Sequence, residues 1–434
     1  MGYLLNLVYL AAILVASPYL LYSAIRHGKY RGGWREKFLG SVPSRTGKNR
    51  CIWLHAVSVG EVNLLAPLIA RWESFYPDWE CVISTTTLAG FSLARKRYAP
   101  RTVFYCPLDF TWSVRRAIRH IRPELLVLAE LELWPNLVSA AKQAGVKVAI
   151  INGRLGDKSL QGYQRIRFIT DKIMEQIDLV AAQNEENAQR FRRLGASPAA
   201  VSVTGSIKFD GALTDRRNSA TKRLASLAGI EESDQVFLAG STQEPEEALA
   251  VSVFSKLVIK HPSLRLILVP RHAERFEDVA RMLEKGGLPW QRRSALESEG
   301  ANHQARILLV DVIGELGAWW GTAAVAFVGG SLGKRGGQNM IEPAAYGAAV
   351  SFGPNTWNFR DVVSMLLARD AAVVVKNEEE MKEFVRRCLE NSDYAQALGE
   401  RARTLVLEQL GATERTVELL SKLVDSRPIA RRAA

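Results

Sequence analysis

The sequence predicts an α/β protein with two doubly wound parallel sheets facing a cleft, preceded by an N-terminal membrane helix. Three observations carry this prediction. An uncharged apolar stretch opens the chain, two series of short apolar runs alternate with longer amphipathic stretches, and a polar segment separates the two series. Short runs rich in Val, Ile and Leu between helical segments are typical of parallel strands covered on both faces.

Length and composition limit the classes of protein to consider. The 434 residues suffice for two domains of ordinary size. The chain is 24% charged and 47% hydrophobic, which is typical of an ordered globular protein. Its formal net charge of +12 indicates an anionic partner, such as a membrane surface or a phosphorylated substrate. The basic residues are scattered and form no nucleic-acid-binding motif, so we expect no nucleic-acid partner.

The four cysteines are expected to be buried thiols in a reducing compartment. They lie far apart, without the paired spacing of a zinc site, at Cys51, Cys81, Cys106 and Cys388. We therefore predict neither a disulfide framework nor a structural metal.

The N-terminal segment is predicted to be a membrane anchor over residues 1–30. From Tyr3 to Ile25 it carries no charge, and this is about the length that crosses a hydrocarbon core. Basic residues, which favour the cytoplasmic side, follow at once: Arg26, Lys29, Arg31, Arg35 and Lys37. A signal peptide would carry its charges before the apolar segment. The alternative is a buried core helix; the anchor places the body in the cytoplasm.

The two series of apolar runs predict twelve strands. The first six are Cys51–Val57, Cys81–Thr86, Leu125–Glu130, Lys147–Asn152, Leu179–Gln183 and Val201–Gly205. The second six are Val236–Gly240, Leu264–Val269, Ile307–Asp311, Val325–Gly330, Ala348–Phe352 and Ala371–Val375. The polar segment Asp210–Asp234 is the predicted linker. The domains would span residues 31–212 and 213–434, and the last helix could pack back on the first domain.

In the first half, acidic and basic side chains follow the predicted strands. Glu61 comes after the first strand and could be a general base or a charge that caps a helix. Glu130 and Glu132 alternate along an extended segment and so share a face. Two acids together are costly unless they are paired or solvated, which favours a functional role. Lys208 follows a later strand and could act directly or be an ion-pair partner.

In the second half, a glycine-rich segment from Val325 to Gly347 predicts a strand, a loop and a helix start. Glycines let the backbone approach an anion, and helical N–H groups point at it. An ordinary strand–turn–helix connection is the alternative. Arg271 follows another strand and could bind a phosphate or carboxylate with both arms of its guanidinium. The basic pair Lys334 and Arg335 has no assigned role.

Two motifs do not occur in the sequence. Without GxxxxGK[ST], hydrolysis of a nucleotide by a P-loop is excluded. Without DxD, which clamps metal and diphosphate in many sugar transferases, we expect a donor that needs no divalent metal.

These residues lie in segments that resemble the 3-deoxy-D-manno-octulosonic acid (Kdo) transferase family of lipopolysaccharide synthesis. The segments occur in the family's order: HAVSVGE (55–61), ELELWPN (130–136), NGR (152–154), AAQNEENAQRF (181–191), TGSIKFD (204–210), LVPRHAERF (268–276), VIGEL (312–316) and FVGGSLGKRGGQNMIEPAAYG (327–347). One position departs from the family's pattern, because Gln338 stands where a histidine usually precedes Asn339.

The resemblance implies an inverting glycosyltransferase of the GT-B type, with two Rossmann-like domains. It would move Kdo from CMP-Kdo, the donor substrate, to a lipid A precursor (lipid IVA) at the inner membrane, without metal or cofactor. The catalytic base would be Glu61, and Glu130 and Lys208 would stabilise the transition state. The donor contacts would be Pro270, Arg271, Ile313, Gly314, Glu315, Asn339, Met340, Ile341 and Glu342.

Two other functions remain open from the sequence. One is a different GT-B sugar-nucleotide enzyme, such as a UDP-sugar transferase or an epimerase. The other is a non-catalytic, membrane-bound nucleotide or lipid binder.

Overall fold

The computed structural model describes residues 2–27 and 32–425, which form two compact units. Unit 1 runs to Asp210 and resumes at Gln409, and unit 2 is Gly211–Glu408. The passage between the units lies at the start of the segment 210–234 that the sequence predicts as a linker, but the later part of this segment is not a linker. A helix with a buried face occupies Ser219–Leu227, where Thr221 and Leu224 are buried at helical spacing and the Thr221 hydroxyl donates to the carbonyl of Ala318.

Unit 1 is an α/β layer structure with an additional N-terminal helix. Its strands are β1 (Cys51–His55), β2 (Glu80–Thr85), β3 (Val103–Tyr105), β4 (Leu125–Ala129), β5 (Lys147–Gly153), β6 (Leu179–Ala182) and β7 (Val201–Val203). Its helices are α1 (Gly2–His27), α2 (Trp34–Leu39), α3 (Val59–Phe75), α4 (Leu88–Tyr98), α5 (Thr111–Ile121), α6 (Pro135–Gln143), α7 (Asp157–Arg165), α8 (Arg167–Met174) and α9 (Glu185–Arg193).

Unit 2 repeats the alternation of strands and helices. Its strands are β8 (Gln235–Thr242), β9 (Leu264–Pro270), β10 (Trp290–Arg292), β11 (Ile307–Leu309), β12 (Val325–Val328), β13 (Ala349–Phe352) and β14 (Val373–Val374). Its helices are α10 (Ser219–Leu227), α11 (Glu246–Val258), α12 (Phe276–Gly286), α13 (Leu296–Glu299), α14 (Leu316–Trp319), α15 (Ile341–Ala345), α16 (Arg360–Ala368), α17 (Glu378–Glu390) and α18 (Ser392–Gln409). Helix α18 ends at the passage back to unit 1, where α19 (Ala412–Val424) follows.

Each unit contains a seven-stranded sheet within the described residues, and all the strand pairs are parallel. The strand order is β3-β2-β1-β4-β5-β6-β7 in unit 1 and β10-β11-β9-β8-β12-β13-β14 in unit 2. All twelve predicted strands are present. The sequence misses β3 and β10, which are edge strands of three residues each.

The alternating side chains of unit 1 strands supply two cores. In β1, Cys51 and Trp53 join the core on one face, whereas Ile52 and Leu54 join the core on the other. Strands buried on both faces read as continuous apolar runs, and this explains why the sequence identifies them. The cysteines are confirmed as buried free thiols.

Helix α19 completes unit 1 after the chain returns from unit 2. Its residues Ala412, Val417 and Leu420 belong to the same core as Leu54 of β1. The carboxylate of Asp210, the last residue before unit 2, accepts hydrogen bonds from the backbone N–H groups of Gly411 and Thr413. The two passages of the chain between the units are therefore tied together inside unit 1.

Helix α1 is long and apolar enough to cross a membrane, judged by length and composition. Over Gly2–Tyr19 the mean hydropathy is 1.5 and 6% of the window is buried. A core helix, the alternative from the sequence, would be mostly buried. Large apolar side chains such as Leu7, Leu14 and Val15 are exposed. Of the predicted basic flank, Lys29 and Arg31 lie outside the described residues.

Polar side chains dock the first turns of α1 onto unit 1. The buried Asn6 donates from Nδ2 to Thr111 Oγ1 at 2.7 Å, and Tyr9 Oη donates to Asp109 Oδ2 at 3.1 Å. Asp109 also accepts from the backbone N–H groups of Asn136 (3.0 Å) and Leu137 (2.8 Å) at the start of α6. Since α6 has no side-chain cap of its own, this buried carboxylate from a distant loop satisfies its N-terminus.

We expect Asp109→Ala to lower the free energy of unfolding by about 2–4 kcal/mol, because two buried N–H groups lose their acceptor. Urea denaturation of the full chain in detergent measures this. The control is Asp157→Ala, which removes an exposed partner of Arg190 and should cost less than about 1 kcal/mol. Equal losses in the two variants would contradict the assignment.

Candidate functional site

The acids of unit 1 lie where its strand order reverses. Strands β1 and β4 are neighbours, and chain order runs outward from them in opposite directions. In open parallel sheets, ligands bind at the carboxyl ends of the strands at this switch point. Glu61 lies in the first turn of α3, the helix that follows β1, and Glu130 directly follows β4.

Glu61 closes a reciprocal capping box at the start of α3. Ser58 Oγ accepts from the Glu61 N–H at 3.3 Å, and the Glu61 carboxylate accepts from Ser58 Oγ (2.7 Å) and the Val57 N–H (2.8 Å). Burial raises the pKa of Glu61, these hydrogen bonds lower it, and the charge of Glu130 raises it further, with a net increase. The capping role is therefore observed, and the role as a base stays a prediction.

Glu130 and Lys208 form an ion pair. Glu130 Oε1 lies 3.1 Å from Lys208 Nζ, and both side chains are partly exposed. Glu130 has a left-handed backbone conformation with φ 57°, and its N–H donates to the carbonyl of Ile151 on β5. A left-handed conformation is unusual for a residue other than glycine, and here it turns the chain away from β4 at the switch point.

Glu132 lies in the same region. The sequence indicates a functional role for it beside Glu130, although the resemblance assigns it none. Its pKa is raised to about 7, first by burial and then by the charge of Glu61, with a smaller contribution from Glu130. The indole N–H of Trp134 donates to Glu132 Oε2 at 2.9 Å. The three carboxyl groups therefore influence one another, and at neutral pH Glu132 is partly protonated. Its alternation with Glu130 was the signal in the sequence.

Asn152 holds the turn that carries Lys208. It lies at the end of β5 in a left-handed conformation, φ 51°, and its Oδ1 accepts from the N–H of Ile207 at 3.1 Å. Asn152 is fully buried, and its Nδ2 has no hydrogen-bond partner among the described residues. Because Ile207 and Phe209 are also buried, Lys208 projects from a turn fixed on both sides.

In unit 2, the glycine-rich segment begins at the corresponding switch point, between β8 and β12. Its first N–H groups are already occupied by a buried carboxylate. Glu246 of α11 accepts from Gly330 (2.7 Å), Ser331 (2.9 Å), Leu332 (2.9 Å) and Gln243 (2.9 Å). The sequence predicts an anion beside these glycines, and the anion that the structure shows there is the carboxylate of Glu246.

Four of the predicted donor contacts come together in unit 2: Arg271, Asn339, Ile341 and Glu342. Asn339 Nδ2 donates to Glu342 Oε1 at 3.0 Å, and its Oδ1 accepts from the N–H of Ile341. Burial raises the pKa of Glu342, whereas hydrogen bonds from Asn339 and Trp320 and the charge of Arg271 lower it, with a net increase. Arg271 is exposed, so its guanidinium is free to donate hydrogen bonds to a ligand.

Glu315 is engaged within unit 2. Its carboxylate accepts from Arg293 Nε at 2.8 Å and Nη2 at 2.7 Å, and from the indole of Trp319 at 3.2 Å. The neighbouring Ile313 is 78% exposed, and Gly314 has a left-handed conformation with φ 94°. Of this predicted contact segment, Ile313 and Gly314 are therefore more accessible than Glu315.

The other predicted contacts differ in accessibility. Met340 and Ile341 have buried side chains, so they can meet a ligand through their backbone. Pro270 ends β9 and is buried, and its contribution is to place the next residue at the strand end. Lys334 and Arg335 are exposed in the middle of the loop.

Two α/β units, each built on a parallel sheet, have the fold of the GT-B class. A UDP-GlcNAc 2-epimerase from Neisseria meningitidis bound to UDP-GlcNAc has a similar fold. Its TM-score is 0.54 at 13% identity, covering 86% of this chain and 100% of that one.

Sequence comparison identifies the family within this class. The family model described as 3-Deoxy-D-manno-octulosonic-acid transferase (kdotransferase) matches residues 32–211. The 3-deoxy-D-manno-octulosonic acid transferase of Haemophilus influenzae is 31% identical over 428 residues, 96% of this chain and 98% of that protein. The one of Bordetella pertussis is 31% identical over 432 residues, 95% of this chain and 98% of that protein. The chain belongs to the Kdo transferase family.

We expect the stability of the wild type to fall, relative to Glu132→Gln, as pH rises from about 4.5 to about 7. Glu132 has a pKa of about 7 in the folded chain against 4.5 when unperturbed, so between these pH values the folded chain keeps a proton that the unfolded chain loses. Urea denaturation at several pH values measures the difference. The exposed Glu175→Gln is the control and should follow the wild type. Parallel curves for the wild type and Glu132→Gln would contradict the burial of this acid.

We expect Glu246→Gln to lower the free energy of unfolding by about 2–4 kcal/mol, because an amide NH₂ would face backbone N–H groups that now bind carboxylate oxygen. Chemical denaturation measures the loss. The exposed Glu274→Gln is the control and should change stability by less than about 0.5 kcal/mol. A loss below about 1 kcal/mol in Glu246→Gln would show that the loop does not need the carboxylate.

Proposed function

We propose that this protein transfers Kdo from CMP-Kdo to a lipid A precursor (lipid IVA), with inversion at the anomeric carbon. The observation that carries the proposal is the similarity to Kdo transferases over almost the whole chain. The charged side chains at the two switch points support it, because they supply the chemistry that such a transfer needs. Under this proposal, unit 1 serves the acceptor and unit 2 serves the donor.

Glu61 is the proposed general base. Its carboxylate takes the proton from the acceptor hydroxyl as that oxygen forms a bond to the anomeric carbon of Kdo. The bond from this carbon to the phosphate oxygen breaks, and CMP leaves with the electron pair. The raised pKa of Glu61 supports the role, because a base works best when its pKa approaches the working pH.

The proposed role of Lys208 is to offset negative charge on the Kdo carboxylate or the departing phosphate. Glu130 holds the ammonium group through the ion pair of 3.1 Å. The protonated fraction of Glu132 at neutral pH reduces the negative charge that an anionic donor would meet in this region. Three acids and one lysine can thus coexist with a negatively charged substrate.

For the donor, we propose contacts from the segment Asn339–Glu342, from Arg271 after Pro270, and from Ile313 to Glu315. The exposed guanidinium of Arg271 suits a phosphate. The carboxylate of Glu342, already ordered by Asn339, suits the hydroxyl groups of a ribose. A monophosphate leaving group carries less charge than a diphosphate, which is compatible with transfer without metal or cofactor.

We propose that α1 holds the protein at the cytoplasmic face of the inner membrane. The length and apolar surface of α1 support an anchor. The net charge of +12 supports attraction to anionic lipids and to an acceptor that carries phosphates. Localisation of the acceptor and the enzyme to the same surface would raise the chance of encounter.

We expect Glu61→Gln to lower the transfer rate at least about 100-fold, because the variant loses its proton acceptor. Mass spectrometry of the lipid formed from purified protein, CMP-Kdo and lipid IVA measures transfer. Glu380→Gln is a matched control. Glu380 makes the corresponding backbone capping contacts on α17. Its carboxylate accepts from the N–H of Lys376 at 2.9 Å, and the N–H of Glu380 donates to Asn377 Oδ1 at 2.9 Å.

If both variants lose transfer equally, capping rather than base catalysis explains Glu61. If the wild type forms no Kdo-bearing lipid, the proposed function is wrong. Thermal stabilisation by UDP rather than by CMP would instead favour a UDP-sugar enzyme of the same class.

A further inference from the structure

A cavity of about 300 Å³ lies between helix α1 and the loop that leads from the acids to α6. Tyr9, Ala12 and Ile13 of α1 form one wall, and Leu133 and Trp134 form another. Ala12 is exposed, so the cavity is accessible beside the helix. We call it the anchor cavity.

The polar groups that border the anchor cavity have partners. The carboxylate of Asp109 accepts from Tyr9 Oη and from two backbone N–H groups of α6. The indole N–H of Trp134 donates to Glu132. The rest of the lining is apolar or aromatic, including Phe110, whose ring meets that of Tyr9 edge-on with centroids 6.1 Å apart. A sugar or nucleotide would find little to bind, whereas a hydrocarbon chain fits this chemistry.

The anchor cavity joins two parts of unit 1 that otherwise have separate roles. On one side, α1 exposes large apolar side chains such as Leu7 and Val15. On the other side, the indole of Trp134 is hydrogen-bonded to Glu132, and the charge of Glu61 raises the pKa of Glu132. A hydrocarbon chain could therefore pass from lipid beside α1 into the cavity without crossing water, and its polar end would remain near the acids.

We propose that the anchor cavity binds one acyl chain of the lipid acceptor. This inference rests on the proposed function and adds a subsite for the acceptor to it. The occupied cavity removes apolar surface from water on both the lipid and the protein, which favours binding. It also gives the enzyme a means to prefer acylated acceptors over soluble sugars that carry the same hydroxyl group.

The test fills the cavity and compares two acceptors. Ile13→Trp places an indole in the cavity, and Leu14→Trp places one on the exposed face of the same helix. Each protein is assayed as the full chain with CMP-Kdo and either tetra-acylated lipid IVA or its chemically deacylated disaccharide. We expect Ile13→Trp to raise KM for the acylated acceptor about tenfold, which corresponds to about 1.4 kcal/mol. KM for the deacylated acceptor should not change, and Leu14→Trp should resemble the wild type.

A second variant and a binding measurement distinguish loss of the acyl-chain site from a folding defect in Ile13→Trp. Leu133→Ala enlarges the cavity, so it should shift the preferred acceptor towards longer acyl chains. The melting temperature of each variant in detergent without ligand shows whether it retains its fold. Acylated acceptor in detergent should stabilise the wild type more than Ile13→Trp, a readout that does not depend on transfer.

Several outcomes would overturn the inference. One is an equal effect of Ile13→Trp on both acceptors. Another is equal stabilisation of wild type and Ile13→Trp by the acylated acceptor, or an unchanged chain-length preference in Leu133→Ala. Absence of transfer by the wild type would refute the proposed function, while the binding measurement would still decide whether the cavity takes an acyl chain.

Discussion

The chain must turn sharply where it leaves a buried parallel strand, and this constraint determines where the charged side chains lie. Glu130, Asn152 and Ser241 adopt left-handed backbone conformations at strand ends, with φ of 57°, 51° and 54°. Such conformations cost a residue with a side chain about 1–2 kcal/mol, and the surrounding buried strands maintain them. These conformations allow Glu130 to form an ion pair with Lys208, and Asn152 to accept a hydrogen bond from the backbone next to this lysine.

The same constraint explains which parts of the fold can be predicted from the sequence. Strands buried on both faces appear as uninterrupted apolar runs, so all the central strands are predicted. The edge strands β3 and β10 are three residues long, and the side chains of Trp290–Arg292 are only partly buried, so neither makes a distinctive pattern. Helix α10 was missed because its polar and small residues resemble a linker, and its stability comes from packing on unit 2.

The candidate site is predictable to a similar degree. Acids that directly follow apolar runs mark the strand ends, which is why Glu61 and Glu130 can be selected without a structure. The carboxylate partner of the glycine-rich loop cannot be selected in this way, because Glu246 precedes Gly330 by many residues and only the sheet brings them together. The protonation of Glu132 and the support that Asn152 gives to Lys208 likewise depend on burial and on contacts between separate strands.

The capping of α19 by Asp210 has a consequence for the order in which the protein can form. Unit 1 draws on both ends of the chain, and its core includes Ala412, Val417 and Leu420. On a ribosome, all of unit 2 emerges before these residues do. Unit 2 can therefore fold while unit 1 still lacks its closing helix, with part of the core around Leu54 uncovered. Truncation of the last helix during synthesis would thus damage the first unit to appear rather than the second.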